Sequence, residues 1–177
     1  MTNSERYQIV AINGQSDSTC RALARMYFAQ LLADDLAKHA FYDGYVTDPE
    51  QFVSLSLDPY ILLFIVVDMD LRIPAAHFHL TSFTGRSAMV HFSLSKSIHG
   101  TRGRKLTIHT LGEIFKMTRK DGSPLVTSLT GLTPLSNKLA CRFIKQVGFE
   151  PKFTLKDSCA FADGHHEDGL VTLMEAP

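Results

Sequence analysis

The sequence has no tryptophan, only three cysteines and no net charge. Cys20, Cys141 and Cys159 are odd in number and widely spaced, with no CxxC pair. That excludes a zinc ribbon, argues against a disulfide framework, and makes a reducing, cytoplasmic compartment the expectation. Lysine plus arginine total 18, and aspartate plus glutamate total 18. A neutral chain is not a general nucleic-acid or anionic-membrane binder, so neither partner is expected. Long apolar runs are also missing. The longest, Tyr60 to Val67, falls far below the roughly 20 residues that span a bilayer. The opening MTNSERYQIV has no apolar signal core or small-residue cleavage site. No repeat, low-complexity tract or Pro/Gly linker divides residues 1–177, which are expected to form one domain. GxxxxGK[ST] and GxGxxG are both absent, so neither phosphate-binding fingerprint applies.

With 45% hydrophobic residues the chain can bury a sizeable core. Tyr7–Ile12 reads as a strand ended by Asn13-Gly14, a turn signal. Ser16, Asp17 and Ser18 offer caps for a helix over 19–40, rich in Ala, Leu, Arg and Met. Asp48-Pro49-Glu50 opens a shorter helix over 48–57. The apolar run 60–67 is a buried strand. Residues 74–84 and 87–97 form a hairpin about Gly85-Arg86. In its second arm Met89, His91, Ser93 and Ser95 face one way, and Val90, Phe92 and Leu94 the other. A basic loop (His99–Lys105), a helix over 106–117 and a strand over 124–130 follow. Leu139, Phe143 and Val147 mark an amphipathic helix over 136–147, with Gly148 as its C-terminal stop. Strands over 152–161 and 169–174 end the chain. The order predicts an α/β (α+β layered) fold with a mixed sheet.

The stretch 94–120 carries the most chemistry. A strand, a basic Gly-containing loop and a helix start follow one another. Backbone N–H groups at a helix start have no intrahelical partner and attract phosphate. Arg102, Arg104 and Lys105 would add charge-assisted bonds; a merely solvated basic loop is the plain alternative.

Two motifs resemble the GNAT N-acetyltransferases. Arg102-Gly103-Arg104-Lys105-Leu106-Thr107 resembles the R/Q-x-x-G-x-G/A pyrophosphate loop of that family. Asn137, Ala140, Phe143, Gly148 and Phe149 are similar in spacing to its late-helix signature. The resemblance implies a GNAT-like, mostly antiparallel sheet with helices on both faces, and acetyl-CoA as cosubstrate. It implies that the backbone of Leu94 and Ser95 pairs with the pantetheine arm. It further implies that residues 102–107, with Gly103 and Thr107 among them, cradle the pyrophosphate, and that Asn137 lies near the thiol end. Three positions depart from the pattern: Lys105 stands for Gly, Thr107 for Gly or Ala, and Ile144 for the tyrosine that protonates the leaving thiolate in many members.

The activity implied is acetyl transfer to a small-molecule or peptide amine. Such a reaction needs a base within reach of the amine. His91, on the strand lining the cleft, is the candidate, with a hydrogen-bonded strand histidine as the plain alternative. Glu113, on a solvent-facing helix side, is the weaker candidate. A catalytically inactive GNAT-fold binding or assembly protein is the second reading. A metal-dependent enzyme built on His77, His79, His91, His165 and His166 is the third, against simple pairing of polar strand residues. The oligomeric state stays open, a homodimer included.

The neutral total hides a division. Residues 31–70 hold eight acids and one base, and residues 96–120 hold seven bases and one acid. One basic segment suits a phosphorylated cosubstrate. The acidic segment also carries Phe41, Tyr42, Tyr45, Phe52 and Tyr60, and would favour a cationic or amine acceptor.

Overall fold

The computed structural model describes residues 6–13 and 16–177; the Gly14 of the first turn signal and residues 1–5 lie outside them. Seven strands build one sheet: β1 (Tyr7–Ile12), β2 (Leu62–Asp68), β3 (Ile73–Thr84), β4 (Ser87–Leu94), β5 (Ser128–Pro134), β6 (Glu150–Ala160) and β7 (His166–Glu175). Their order is β1-β2-β3-β4-β5-β7-β6, and every pairing is antiparallel except β4 with β5. The helices are α1 (Ser18–Ala33), α2 (Ala37–Ala40), α3 (Pro49–Ser54), α4 (Thr101–Lys116) and α5 (Lys138–Gln146), with 3₁₀ turns at Leu55–Leu57 and Lys96–Ile98.

Helices cover both faces, so the central strands are apolar on both sides. Leu63 and Ile65 of β2 enter a core with Tyr27, Phe28 and Leu31 of α1 and Phe52 of α3. Phe64 and Val66 enter the other, with Leu106, Leu111 and Ile114 of α4 and Ile144 of α5. That is why the run in β2 shows no alternation. The expected hairpin forms with Gly85 at φ +63° in its turn.

Several elements differ from expectation. The second hairpin arm, expected over 87–97, stops at Leu94, and Lys96–Ile98 turns into a 3₁₀ helix. The helix expected over 19–40 breaks after Ala33, because Asp35 adopts φ +57° and the Leu36 N–H returns to the Leu31 carbonyl. The strand expected over 124–130 begins at Ser128, where β5 starts its seven-residue ladder with β7. The stretch His99–Lys105 is a loop only as far as Gly100. The helix expected over 106–117 starts at Thr101, so the basic residues form its first turns. Gly103 permits this. A Cβ there would lie 2.5 Å from the Ile98 carbonyl oxygen, so the 3₁₀ turn packs directly on helix backbone.

The N-terminus of α4 is also tied electrostatically. Arg102 makes a bidentate pair with Asp68, the fully buried last residue of β2, at 3.0 and 2.9 Å. Arg6 approaches the same carboxylate and pairs with Asp70 at 3.1 Å. The Asp68 carboxylate also caps the Asp70 and Leu71 N–H groups. Asp68→Ala should therefore destabilise the fold by about 2–3 kcal/mol, below a fully buried pair because both arginines keep some solvent access. Chemical denaturation of the two proteins measures it, and a loss under about 0.5 kcal/mol would contradict the anchoring role.

Candidate functional site

Parallel pairing of β4 and β5 lasts three rungs, Ser87–Met89 against Ser128–Thr130. Beyond them β4 stays on β3 and β5 stays on β7. The strands splay, and a gap opens between 90–94 and 131–134. A cavity of about 110 Å³ fills it and reaches both faces of the sheet. Val90, Phe92, Asn137, Phe143 and Ile144 line it from the α5 side; His39, Ala40, Tyr42 and His91 line it from the α1–α2 side.

Along the open edge, Ser95 donates its N–H to the Ala75 carbonyl on β3. Ladder alternation then turns the backbone of Leu94 and Phe92 toward the gap. The Leu94 carbonyl accepts the His99 ring N–H at 3.4 Å. Of the two residues expected to pair with a pantetheine arm, Leu94 faces the gap with its backbone and the buried Ser95 faces β3.

The residues expected to cradle phosphate fall into two groups. Arg102 is committed to Asp68, Gly103 is a packing contact, and Thr107 is buried inside α4. Arg104 and Lys105 are exposed. The first intrahelical bond runs from Arg104 N–H to the Gly100 carbonyl, which leaves the N–H groups of 101–103 without helical partners. The turn they crown is Ser95–Gly100, earlier in the chain than the motif suggested. Gly100, at φ +77°, has open space where a Cβ would stand. Asn137 caps α5, its Oδ1 accepting the Ala140 N–H at 3.0 Å, and borders the gap from there.

The strand histidines do converge, though not on a metal. His79 and His91 stack at 4.6 Å with rings 5° from parallel, and His77 and His79 at 5.3 Å and 11°. Phe41 lies parallel to His79 on the core side. Among the described residues no group of three or more His, Cys, Asp or Glu is placed to hold a metal ion. A chain of hydrogen bonds satisfies the stack: Tyr27 hydroxyl with Ser93 Oγ at 2.8 Å, Ser93 Oγ with His77 Nδ1 at 2.9 Å, and His77 Nε2 with His79 Nδ1 at 3.2 Å. His91 Nε2 lies 3.4 Å from the Thr81 hydroxyl. Burial drives the His77 pKa down to about 3 and holds that of His79 well below the ordinary imidazole value. Burial also lowers that of His91, with Asp43 pulling weakly the other way. His165 pairs with Asp163 and stacks on Phe161. Glu113 is ion-paired with Lys116 at 2.7 Å.

Two features were not legible in the sequence. The first is the place of Tyr42, expected only among the acceptor-side aromatics: it stands on the α2–α3 connection and lines the gap with Ile144. Its ring packs on Phe161 at 5.0 Å, and its carbonyl accepts the Ala162 N–H. Gly44, at φ +73°, lets this segment close on Ala162; a Cβ would stand 2.8 Å from that side chain. Burial, then a hydrogen bond with Cys159, raises the Tyr42 pKa. The second is a neighbouring cavity of about 200 Å³, which shares Ala40, Tyr42 and His91 with the gap. Phe41, Val46, Leu55, Ile61, His79 and Thr81 complete most of its wall. Its residues come from segments far apart in sequence, so no local motif announces it.

No protein-family model and no curated protein sequence matches the chain. Solved structures do. A ribosomal-protein-S5-alanine acetyltransferase from Vibrio fischeri superposes with a TM-score of 0.70 at 15% identity, over 96% of this chain and 93% of that one. Spermidine N-acetyltransferase from Vibrio cholerae, in complex with CoA and spermine, gives 0.69 at 13%, over 97% and 96%. The microcin C7 self-immunity acetyltransferase, in complex with acetyl-CoA and AMP, gives 0.74 at 10%, over 98% and 94%. These identities carry the architecture and no more: the mixed seven-stranded sheet, splayed between β4 and β5, makes this chain a divergent protein of the GNAT fold.

Proposed function

We propose that the protein transfers the acetyl group of acetyl-CoA to an amine by direct attack in a ternary complex. The observation that carries the proposal is the gap through the sheet, which meets a second cavity at His91. Acetyl-CoA would enter from the α4–α5 side. The N–H groups of 101–103, with exposed Arg104 and Lys105, would hold its pyrophosphate. The open edge of β4 at Leu94 and Phe92 would hold its pantetheine arm, and a backbone N–H there would polarise the thioester carbonyl. The amine would approach from the α1–α2 side, so the two substrates meet without sharing an entrance. Holding both in line supplies much of the rate.

The proton balance uses two residues. The amine nitrogen attacks the carbonyl carbon, and neutral His91 takes the proton that nitrogen must lose. The carbon–sulfur bond breaks with its electron pair on sulfur, and the Tyr42 hydroxyl protonates the thiolate. Solvent exchange returns both groups to their starting states. The phenol is protonated near neutral pH, as a donor must be, and burial makes it a weaker acid than a free tyrosine, so it acts on a thiolate already formed. The expected cytoplasmic location accompanies this reading. The rival reading, a GNAT-fold module that binds without transfer, draws on Arg102 being engaged by Asp68. Arg104, Lys105 and the α4 N-terminus supply the charge that Arg102 does not.

Three outcomes are expected. Acetyl-CoA at a hundred times its Kd should stabilise the protein by about 2.7 kcal/mol, which is roughly 5–10 °C in Tm for a chain of this length. No shift at millimolar acetyl-CoA would overturn the proposal. Tyr42→Phe should lower kcat by about 10²-fold or more, measured as thiol release with an amine panel, and leave the acetyl-CoA shift in place. An unchanged kcat would remove Tyr42 from the reaction. The histidine stack sets the acid limit. Its rings are neutral when folded but bind protons below about pH 6.5 when unfolded, so the stack favours the folded state above that pH. This contribution is lost as pH falls below 6.5, down to about 3 for His77, by up to about 1.4 kcal/mol per pH unit for each buried ring. A Tm that stays flat from pH 6.5 to 4 would refute this account.

A further inference from the structure

The acids of residues 31–70 are already employed. Asp34 accepts the Lys96 N–H at 3.1 Å and the Gln30 amide. Asp35 pairs with Lys38 at 2.7 Å, and Glu50 takes the Arg25 guanidinium at 2.6 and 3.0 Å. Asp48 caps α3, and Asp58 caps the turn before β2. Asp68 and Asp70 hold Arg102 and Arg6. Asp43 is the one carboxylate that reaches the 200 Å³ cavity, and one of its oxygens already accepts the Tyr45 N–H at 3.1 Å. Four of the eight acids are ion-paired and only Asp43 lines this cavity, so the negative excess of the segment does not gather at it.

What remains in the cavity is apolar and aromatic. Phe41, Val46 and Leu55 are buried in its wall, with half-buried Ile61 beside them. His79 and His91 present neutral rings, and Asp43 and Tyr45 stand exposed at the mouth. A cavity of about 150 Å³ lined by such side chains is large enough for benzene. One of about 200 Å³ also admits a short amino-bearing arm. A second ammonium group deep inside would lie among apolar walls, away from Asp43 at the mouth, at a large desolvation cost.

We infer that the acceptor is a compact monoamine with an apolar body, an aromatic ring or branched alkyl group on a short arm, and not an extended polycation. The body fills the space between Phe41, Val46, Leu55 and Ile61, and the amine lies at His91, where the cavity meets the gap. This rests on the acetyl-transfer reading. It adds that the selecting force is apolar burial with a single charge, not attraction of a polycation by an acidic surface.

The test compares kcat/KM of the full chain for 2-phenylethylamine and for spermidine with saturating acetyl-CoA, followed by thiol release. 2-Phenylethylamine should be preferred by about tenfold or more. Ile61→Phe, which shortens the cavity from a half-buried position, should lower kcat/KM for 2-phenylethylamine by at least about tenfold while the acetyl-CoA thermal shift stays the same. Equal or better use of spermidine, no turnover of 2-phenylethylamine by a chain that binds acetyl-CoA, or an Ile61→Phe variant with unchanged selectivity would each overturn the inference and leave acetyl-CoA binding intact. A chain that gives no acetyl-CoA shift would overturn the transfer reading, and this inference with it.

Discussion

β4 and β5 share only three parallel rungs, while each keeps a full antiparallel ladder on its other side. Backbone hydrogen bonding is obligatory for buried strands, so a strand cannot simply stop pairing in a core. Here the unpaired edges face a cavity instead of packed side chains, which leaves their polar groups available to a bound molecule. The two continuing ladders make the splay rigid. β3 holds 90–94 in line and β7 holds 131–134, so the gap does not close by sliding. Its width follows from sheet geometry, and its walls are whatever the helices on each face deliver. α5 supplies Asn137, Phe143 and Ile144; the α2 region supplies His39, Ala40 and Tyr42.

The charge pattern shows how local ties displace a long-range field. Two segments of opposite sign suggest a bipolar molecule, yet half of the acids and Arg102 among the bases are paired at close range. The Arg102–Asp68 bridge joins the two segments directly, fixing the start of α4 against the end of β2. Buried, bidentate charge contributes alignment more than attraction. The start of α4 must be fixed if its unpartnered N–H groups are to meet a phosphate in a set position. An arginine that looks like a ligand contact in the sequence is instead a tie between α4 and β2, while its neighbours Arg104 and Lys105 are exposed to solvent.

Much of the fold was legible because the relevant signals are local. Alternation in 87–94 marked β4. Asn137 capping the Ala140 N–H, with Gly148 at φ +107°, marked both ends of α5. The α4 start was misread because Gly and charged residues in series look like a loop, while Gly103 is required by the Ile98 carbonyl, a tertiary contact. Alternation gave the face of the strand on which His91 lies, and the GNAT resemblance made that strand the wall of a cleft. Tyr42 could not be placed, because its position depends on Gly44 closing against Ala162, a residue far along the chain. The second cavity was equally hidden. It needs the helix break at Asp35, which directs residues 40–46 across β3 and β4 instead of onward along α1.

The buried histidines resolve a tension that composition alone leaves open. Three imidazoles in an apolar layer are costly if any is charged or unsatisfied. The structure meets that cost with neutrality and with partners in series, from Tyr27 through Ser93 to His77 and His79. His91 ends the stack, covered on one face by His79 and facing both cavities. A base in a solvated loop would be protonated over more of the working range and free to rotate. Held by a flat neighbour and a Thr81 hydroxyl, this ring keeps one orientation and an unprotonated nitrogen. The feature that makes the core acid-sensitive is thus the one that would let a strand histidine serve amine chemistry near neutral pH.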